Sequence, residues 1–356
     1  MQIDPFKQRT LDHLASKQED ARTYPISETD LTYVDRCTVC GSKSITLLTE
    51  VFLTASLNFF STSVCDGCLY TFRSVSPSFD WFKKCWGLIA TGELQVFNPE
   101  VEKIRRRRYE AYNRLLSKYA PGGRLLDVGA AYGTGSKVFQ DLGYQVEALE
   151  PEDDKANYIR NFLEIPVFSG SLDNFEPSVA GYDLVLFAHC LEHLDDPTAA
   201  ITKMRELVNP SSGTLYVEVP NIWNFVSWSD ALYLTHKSNF TEPNVVSLLE
   251  NSGFEVLETT WFQHTPEEPW DLGIVAKPVS AQSRSGPQSP NTDGHTVRDV
   301  QELYRKGLAL TSMPAPDKVL RYSVPYIEQF YCTLKLDTKR IVEPVSETDF
   351  IAFEPV

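Results

Sequence analysis

The stretch Arg124–Gly135 constrains what this chain can fold into more than any other part of the sequence. It opens with a short apolar run, Leu125 to Val128, of the kind found in strands that are buried on both faces. A glycine-rich turn follows, and the amphipathic pattern after it predicts a helix that ends at Gly143. Glycines let the backbone approach a ligand closely, and the free N–H groups at the start of a helix point towards it. The stretch therefore predicts a cradle for a nucleotide-like cofactor.

A turn of this kind can bind either of two classes of cofactor, and the spacing of its residues distinguishes them. A dinucleotide fingerprint needs the spacing Gly-x-Gly-x-x-Gly, and no frame that starts at Gly129 or Gly133 supplies it. The pattern Asp-x-Gly-x-Ala-x-Gly fits instead, with its members at Asp127, Gly129, Ala131 and Gly133. It resembles the first motif of the class I methyltransferases that use S-adenosylmethionine (SAM), although Ala131 stands where that family more often has glycine. The resemblance implies that these four residues bind SAM; the alternative is a glycine turn with no ligand.

The segments after the cradle extend the resemblance. Gln145–Leu149 predicts a second strand that ends at Glu150, where a carboxylate can accept hydrogen bonds from both ribose hydroxyls. After its third strand the family often has an acidic residue that meets the adenine amino group. Here Ser171 occupies that position and Leu172 follows it. The resemblance implies that Glu150 binds the ribose and that Ser171 and Leu172 face the adenine.

The fourth predicted strand, Tyr182–Ala188, leads into a loop that should face the methyl group of SAM. The reason is that ligands of open α/β sheets bind outside the carboxyl ends of the strands. The loop holds His189 and the pattern Leu-Glu-His-x-x-x-x-Pro around His193, which is frequent in small-molecule members of the family. We expect His189 to line the SAM or acceptor pocket. His193 either holds the loop against the cofactor or transfers a proton.

An insertion between the fifth strand and the next helix contains Tyr233 and His236. Families of this type build the acceptor pocket from this region. Because histidine titrates near neutrality, His236 is the first candidate for a general base, with Tyr233 orienting the acceptor and His189 as the second candidate. The alternative is that His236 only anchors the helix that begins near Thr241.

The remaining pattern completes the fold that the resemblance implies, a Rossmann-like, doubly wound α/β sheet of seven strands. Pro197–Leu207 and the segment after Thr241 predict helices. Phe254–Trp261 and Asp271–Ala276 predict a closing antiparallel hairpin.

Two Cys-x-x-Cys pairs precede this core, Cys37 with Cys40 and Cys65 with Cys68, and a β-prone segment separates them. This is the spacing of a zinc ribbon, in which four thiolates close a tetrahedral Zn²⁺ site that has no open position and is therefore structural. A lone pair could be redox-active, whereas two pairs favour zinc. The arrangement is similar to bacterial methyltransferases with an N-terminal zinc-binding motif, several of which act on nucleotide-linked sugars or natural-product scaffolds.

Charge and hydropathy narrow the function classes. A net charge of −15 argues against a general nucleic-acid binder, whose footprint would be basic. Arg105 to Arg108 form one basic run, interpreted as a solvated helix face or as a clamp on a substrate phosphate or the SAM carboxylate. No apolar run predicts a membrane span, and no signal-peptide core is present in residues 1–30, so we expect a cytoplasmic protein.

The predicted organisation has six parts: an N-terminal helix in 1–34, a zinc-ribbon-like module in 35–75, a helical connector in 76–120, the SAM-binding core in 121–279, a linker in 280–294 and a C-terminal extension in 295–356. The expected reaction is methyl transfer to a small polar acceptor, either a sugar or a natural-product scaffold. The alternatives are an RNA or protein methyltransferase and a non-catalytic SAM-fold subunit that binds a protein partner. The ribbon or the extension could mediate a homodimer or such a partner contact.

Overall fold

The computed structural model describes residues 31–53, 58–78, 99–177, 181–224, 236–262, 271–279, 292–309 and 330–334. Its strands are β1 (Leu31–Tyr33), β2 (Ile45–Leu53), β3 (Asn58–Cys65), β4 (Thr71–Pro77), β5 (Arg124–Val128), β6 (Gln145–Glu150), β7 (Val167–Ser169), β8 (Leu184–Ala188), β9 (Thr214–Pro220), β10 (Ser238–Asn239), β11 (Phe254–Phe262), β12 (Asp271–Pro278) and β13 (Phe330–Leu334). Its α-helices are α1 (Pro99–Leu116), α2 (Thr134–Asp141), α3 (Asp153–Tyr158), α4 (Pro197–Leu207), α5 (Glu242–Asn251) and α6 (Val297–Ala309).

A seven-stranded sheet forms the larger part of the fold, in the order β11-β12-β9-β8-β5-β6-β7. The strands from β9 to β7 run parallel, and the hairpin of β12 and β11 closes one edge antiparallel. This confirms the predicted α/β fold with seven strands. From β5 the chain winds outward first to β6 and β7, and later returns to β8 and β9 on the other side. The carboxyl end of β5 is therefore the switch point where such sheets bind ligands.

Helices cover both faces of this sheet, which explains the continuous apolar sequence of its central strands. One face carries α1, whose Tyr112 and Leu116 are fully buried. The other face carries α4 and α5, which contribute Ile201 and Leu249. No helix in the described part of the chain is both long and apolar enough to span a bilayer.

A second, antiparallel sheet carries the cysteine pairs and is larger than the predicted ribbon. Its order is β1-β4-β3-β2-β13, and β10 pairs with β4 beside β1. Two of these strands come from distant parts of the sequence: β10 belongs to the insertion after β9, and β13 belongs to the C-terminal extension. We refer to this unit as the cysteine sheet. The described end of the insertion that was predicted to form the acceptor pocket, at β10, is therefore part of it.

The cysteine sheet shares a hydrophobic core with the large sheet. Cys37, Cys68 and Phe72 belong to the same buried cluster as residues of α4, α5 and β9. Hydrogen bonds reinforce this contact, because the Thr198 hydroxyl donates to the Thr38 carbonyl at 2.6 Å and the Asn244 side-chain amide donates to the Cys68 carbonyl at 2.7 Å. The cysteine loops are thus fixed on the helices of the α/β fold.

In the C-terminal extension the sequence predicts a helix over Val297–Leu310, and α6 confirms it to within one residue. The helix buries Val300 and Tyr304, and the Tyr304 hydroxyl accepts a hydrogen bond from the Asn239 side chain at 2.9 Å. The sequence also predicts three strands in the extension, at Tyr322–Ile327, Tyr331–Leu336 and Phe350–Phe353, and the second of them corresponds to β13. The other two, at 322–327 and 350–353, lie outside the described residues, as do most of the predicted linker and residues 1–30 of the predicted N-terminal helix. Of the four described residues of that 1–34 segment, Leu31–Tyr33 form β1.

Asn244 links α5 to the cysteine loops, and we predict that Asn244→Ala destabilises the fold. Its side-chain oxygen accepts from the Thr241 amide in a capping box, and its amide group donates to Cys68. Losing both contacts at a fully buried position should cost about 2–3 kcal/mol of unfolding free energy in urea denaturation. Asn251→Ala, at the exposed end of the same helix, is the control and should change stability by less than about 0.5 kcal/mol. Equal stabilities for the two variants would contradict the linking role.

Candidate functional site

The glycine turn after β5 forms the predicted cradle. Gly129, Ala131 and Gly133 all adopt left-handed backbone conformations, with φ of 73°, 50° and 71°. A Cβ atom on Gly129 would lie 2.2 Å from the Cys190 sulfur, so glycine is required there by the packing as well as by φ. The left-handed φ at Ala131 gives a physical reason for the glycine that the family more often has at this position.

Asp127 lies beneath the cradle and is almost completely buried. Its carboxylate accepts a hydrogen bond from the Ser136 hydroxyl at 2.6 Å, which ties the end of β5 to the first turn of α2. Burial raises the pKa of Asp127 to about 6, although the hydrogen bonds from Ser136 oppose this. The carboxylate therefore orders the turn from below.

Glu150 connects the cradle to the end of β6. One carboxylate oxygen accepts from the Ala131 amide at 2.7 Å and the other accepts from the Glu152 amide at 2.9 Å. Burial raises the pKa of Glu150 to about 7, against the opposing effects of the Glu152 amide and the Lys155 ammonium. Since each oxygen has a further lone pair, this fixed carboxylate can accept two more hydrogen bonds.

Ser171 and Leu172, predicted to face the adenine, lie where β7 ends, next to Glu150. The Gly170 amide donates to the Glu150 carbonyl at 3.1 Å, which holds this turn beside the cradle. The Ser171 hydroxyl accepts from the Asn174 side chain at 3.2 Å, and Leu172 is 8% exposed. Their contact with adenine stays a prediction.

His189 directly follows β8, where its φ of 53° is unusual for a residue with a side chain. Its Nε2 lies 3.0 Å from Glu218 and 3.4 Å from Asp271, and its Nδ1 lies 3.4 Å from Glu192. Although burial favours the neutral ring, the three carboxylates outweigh it and raise the pKa of His189 to about 10. The imidazole is therefore held as a cation at neutral pH.

Glu218 and Asp271 were not recognised from the sequence as site residues, and Arg108 was considered only as a member of the basic run. Glu218 is fully buried in β9, and the hydroxyls of Tyr112 and Tyr216 both donate to it. A charged residue inside the apolar run of β9 is the signal that could have identified it, because an ionised group in a buried strand needs partners.

Arg108 belongs to the basic run of α1 and points towards this network. Although burial opposes it, the neighbouring Tyr112, Glu218 and Asp271 raise the pKa of Arg108. Two other arginines of the run form ion pairs at the surface, which agrees with the interpretation of a solvated helix face. Arg105 pairs with Glu102 at 2.7 Å, and Arg106 is shared at 3.3 Å between the exposed carboxylates of Glu110 and Asp141.

Glu192, His193 and His236 form a second polar cluster beside the first. The rings of His193 and His236 pack edge to face with centroids 4.9 Å apart, and His193 Nε2 lies 4.0 Å from Glu192. Burial opposes ionisation of Glu192, yet His189, His193 and His236 lower its pKa to about 2. Burial, reinforced by His193, lowers the pKa of His236 to about 3. Tyr233, the predicted partner of His236, lies outside the described residues.

The backbone of His236 and Lys237 is held between the cysteine sheet and the loop after β8. Arg73 of β4 donates from Nε to the His236 carbonyl at 3.0 Å, and the Lys237 amide donates to the Glu192 carbonyl at 2.6 Å. The Lys237 ammonium is buried between Asp195, at 2.9 Å, and the Pro77 carbonyl, at 2.5 Å. These contacts bring His236 next to His193.

The four sulfurs of Cys37, Cys40, Cys65 and Cys68 form a compact group in the loops of the cysteine sheet. They all lie within 4.8 Å of one another, with Cys37 3.5 Å from Cys68 and Cys40 3.6 Å from Cys65. Zn–S bonds of about 2.3 Å place the sulfurs of a tetrahedral site roughly 3.8 Å apart. The group therefore fits a zinc ion.

Comparison with known proteins identifies the larger unit. A family model for a methyltransferase domain matches residues 101–259. A probable S-adenosylmethionine-dependent methyltransferase of Mycolicibacterium smegmatis is 25% identical over 176 residues, which cover 49% of this chain and 68% of that protein. The chain is a SAM-dependent methyltransferase. The match includes the cradle, Glu150 and the loop after β8, which are the parts of the structure that meet at the carboxyl ends of the strands.

Two further proteins are similar to parts of this chain. The ubiquinone biosynthesis O-methyltransferase of Xanthomonas campestris is 32% identical over 107 residues, which are 28% of this methyltransferase and only 44% of that protein. The crystal structure of 1,6-didemethyltoxoflavin-N1-methyltransferase from Burkholderia thailandensis matches 53% of this chain and 94% of its own, at 17% identity and a TM-score of 0.40.

Burial of Asp127 predicts a pH dependence of stability in the ligand-free methyltransferase. Because its pKa is about 6 when folded and about 3.9 when unfolded, the folded state binds more protons between these values. Its contribution to the unfolding free energy is therefore greatest below about pH 4, falls as the pH rises to about 6 and is then level. Between pH 4.5 and pH 7 Asp127→Asn should remove about 2 kcal/mol of this fall, measured as the difference from wild type in urea denaturation at the two pH values.

The control is Asp173→Asn, which changes an exposed carboxylate on the surface and should leave the pH dependence of the wild type unaltered. An equal fall in wild type and Asp127→Asn would show that the carboxylate is not destabilised by its burial.

Proposed function

We propose that the protein transfers the methyl group of SAM to a small polar acceptor, a sugar or a natural-product scaffold. The observation that carries this proposal is the position of the polar cluster of Glu192, His193 and His236. It lies at the carboxyl end of β8 in the loop next to the glycine cradle, and the cysteine sheet supports it from the other side. An acceptor bound there would lie beside the methyl group of a cofactor in the cradle.

In this proposal the cofactor is held by Asp127, the turn at Gly129, Ala131 and Gly133, and Glu150. The free oxygen lone pairs of Glu150 accept the two ribose hydroxyls, and the backbone contacts that it already makes keep it in place. Ser171 and Leu172 border the adenine at the end of β7. All of these groups are at the switch point of the sheet, which supports a single cofactor position.

Methyl transfer is an in-line displacement. A bond forms between the acceptor atom and the methyl carbon, the bond from that carbon to sulfur breaks, and its electron pair stays on sulfur in S-adenosylhomocysteine (SAH). The acceptor releases its proton to water or to a base. The protein therefore contributes mainly alignment and exclusion of solvent, which are worth several kcal/mol of the barrier.

The identity of a base stays a prediction for His236, His189, His193 and Tyr233. The pKa values count against the first two, because a ring with a pKa of about 3 is a weak base and one with a pKa of about 10 already carries its proton. His193 and Tyr233 thus remain the candidates for a base that takes the proton of an acceptor hydroxyl.

Two alternatives remain to be distinguished from small-molecule methylation. The net charge of −15 disfavours an RNA substrate. A non-catalytic subunit is disfavoured by the ordered contacts of Glu150, which no partner-binding role requires. Incubation with SAM and either nucleotide-linked sugars, RNA or protein extracts, with SAH release as the readout, separates these functions. A cytoplasmic location is part of the same proposal.

Glu150→Ala should weaken SAH binding at least tenfold in isothermal titration calorimetry. Removal of the carboxylate leaves two ribose hydroxyls without acceptors in a nearly buried site, which costs about 1–3 kcal/mol. Glu147→Ala is the matched control, because Glu147 is on the same strand at the end away from the cradle and contacts Tyr182. Wild-type affinity in Glu150→Ala would exclude Glu150 from the cofactor site.

We also propose that Cys37, Cys40, Cys65 and Cys68 hold one structural Zn²⁺. The purified protein should contain one equivalent of zinc by elemental analysis, and Cys65→Ser with Cys68→Ser should lose it together with stability. Cys190→Ser is the control, because this cysteine packs under the glycine turn and is not part of the group. Zinc-free wild-type protein, purified without chelator, would contradict the assignment.

A further inference from the structure

The cluster of Glu192, His193 and His236 has the composition of a metal centre with open coordination positions. One oxygen or ring nitrogen from each residue lies within 4.8 Å of the others. Two histidines and one carboxylate are a donor set that suits divalent transition metals and leaves positions for water or substrate. The four-cysteine group differs on both counts, because it is all sulfur and coordinatively closed.

The surroundings of Glu192 provide an independent observation. The residue is 1% exposed, and neither carboxylate oxygen accepts a hydrogen bond from any residue in the described part of the chain. Its nearest cationic neighbour is the His189 ring, with Nδ1 at 3.4 Å from Oε1. A buried carboxylate normally has two or three hydrogen-bond donors or a metal ion, so this one is under-coordinated.

The backbone holds the three residues in place from outside the cluster. Glu192 and His193 are consecutive in the short 3₁₀ helix Leu191–His193, and the Lys237 amide joins the His236 segment to the Glu192 carbonyl. Arg73 donates to the His236 carbonyl from the cysteine sheet. Metal centres that are preorganised in this way need only side-chain adjustment to bind an ion.

The remaining adjustment is small. Ligand bonds of about 2.0–2.2 Å place the ligand atoms of a tetrahedral ion roughly 3.4 Å apart, so the cluster must contract by about 1 Å. The side chain of His193 is 36% exposed, so its ring has room to turn. The same exposure leaves a side of the cluster that an acceptor can reach.

From these observations we infer that Glu192, His193 and His236 bind a divalent transition-metal ion at the acceptor site. The inference rests on the proposed methyl transfer and gives a route by which an acceptor hydroxyl can lose its proton to water. An ion at this position lowers the pKa of an acceptor hydroxyl bound to it, so that the proton passes to water at neutral pH. The resulting oxygen attacks the methyl carbon, and the electron pair of the broken bond stays on sulfur.

The test uses Co²⁺ and the full-length protein with its native metal content. After dialysis against Co²⁺, elemental analysis should find one cobalt per chain. This cobalt should give no thiolate-to-cobalt charge-transfer band in the absorption spectrum. That absorption marks exchange into the four-cysteine group and so separates the two sites. His193→Ala, His236→Ala and the isosteric Glu192→Gln should each weaken this cobalt binding at least tenfold. His295→Ala, which removes a histidine stacked on Trp223 outside the cluster, is the matched control and should bind as wild type does.

SAH affinity, measured by calorimetry on the same preparations, shows whether each variant is folded and whether the cofactor site is intact. If the wild-type protein binds SAH with full affinity but binds no cobalt outside the four-cysteine group, the metal inference is overturned and the proposed function is not. The metal inference is also overturned if wild type and the double variant that carries both His193→Ala and His236→Ala bind cobalt equally, because the cobalt would then be an adventitious ion only. If cobalt binding depends on the three residues but the protein binds no SAH, the result supports the metal site and overturns the proposed function.

Discussion

The segment His236–Lys237 is bound on both sides, and the proposed active site depends on this contact. On one side the Lys237 amide donates to the Glu192 carbonyl at 2.6 Å, and on the other Arg73 donates to the His236 carbonyl at 3.0 Å. Arg73 and Lys237 are themselves 4% and 5% exposed. Burying a cation is costly unless it is paired, and here carbonyl oxygens, hydroxyls and Asp195 supply the partners. The cysteine sheet is therefore one wall of the proposed acceptor site.

This arrangement links the four-cysteine group to His236 through β4. The cysteine loops have few apolar residues of their own and rest on α4 and α5 through Thr198 and Asn244. A metal ion there would order β3 and β4, and β4 in turn carries Arg73. Loss of that ion would be expected to displace His236 without touching the SAM cradle. The cofactor site and the acceptor site thus depend on different parts of the chain.

Local sequence patterns predicted the elements that consist of one continuous segment. Asp127, the glycine turn and Glu150 could be placed because a buried strand, a tight turn and a helix N-terminus follow each other within a short stretch. The pairing of β10 with β4 could not be predicted, since Ser238 and Phe72 are far apart in sequence and two residues give no strand pattern. For the same reason the prediction treated the cysteine module as separate from the acceptor insertion.

The acidic network around His189 shows a second limit of sequence patterns. His189 and His236 were predicted to titrate near neutrality, which is correct for exposed imidazoles. In the fold, three carboxylates surround His189, whereas burial next to His193 dominates at His236, so their pKa values move in opposite directions. Glu218 and Asp271, which contribute to this effect, come from strands whose pairing only the tertiary structure reveals.

The central claim is that the glycine cradle and the cluster around His236 form one active site, and a crystal structure of the full-length protein with SAH tests it most directly. We predict that the ribose hydroxyls bind Glu150 and that the sulfur of SAH faces the loop 189–193, with Glu192, His193 and His236 on the side where the methyl group would project. A complex in which the sulfur points away from this loop, or in which SAH binds outside the cradle, would contradict the account.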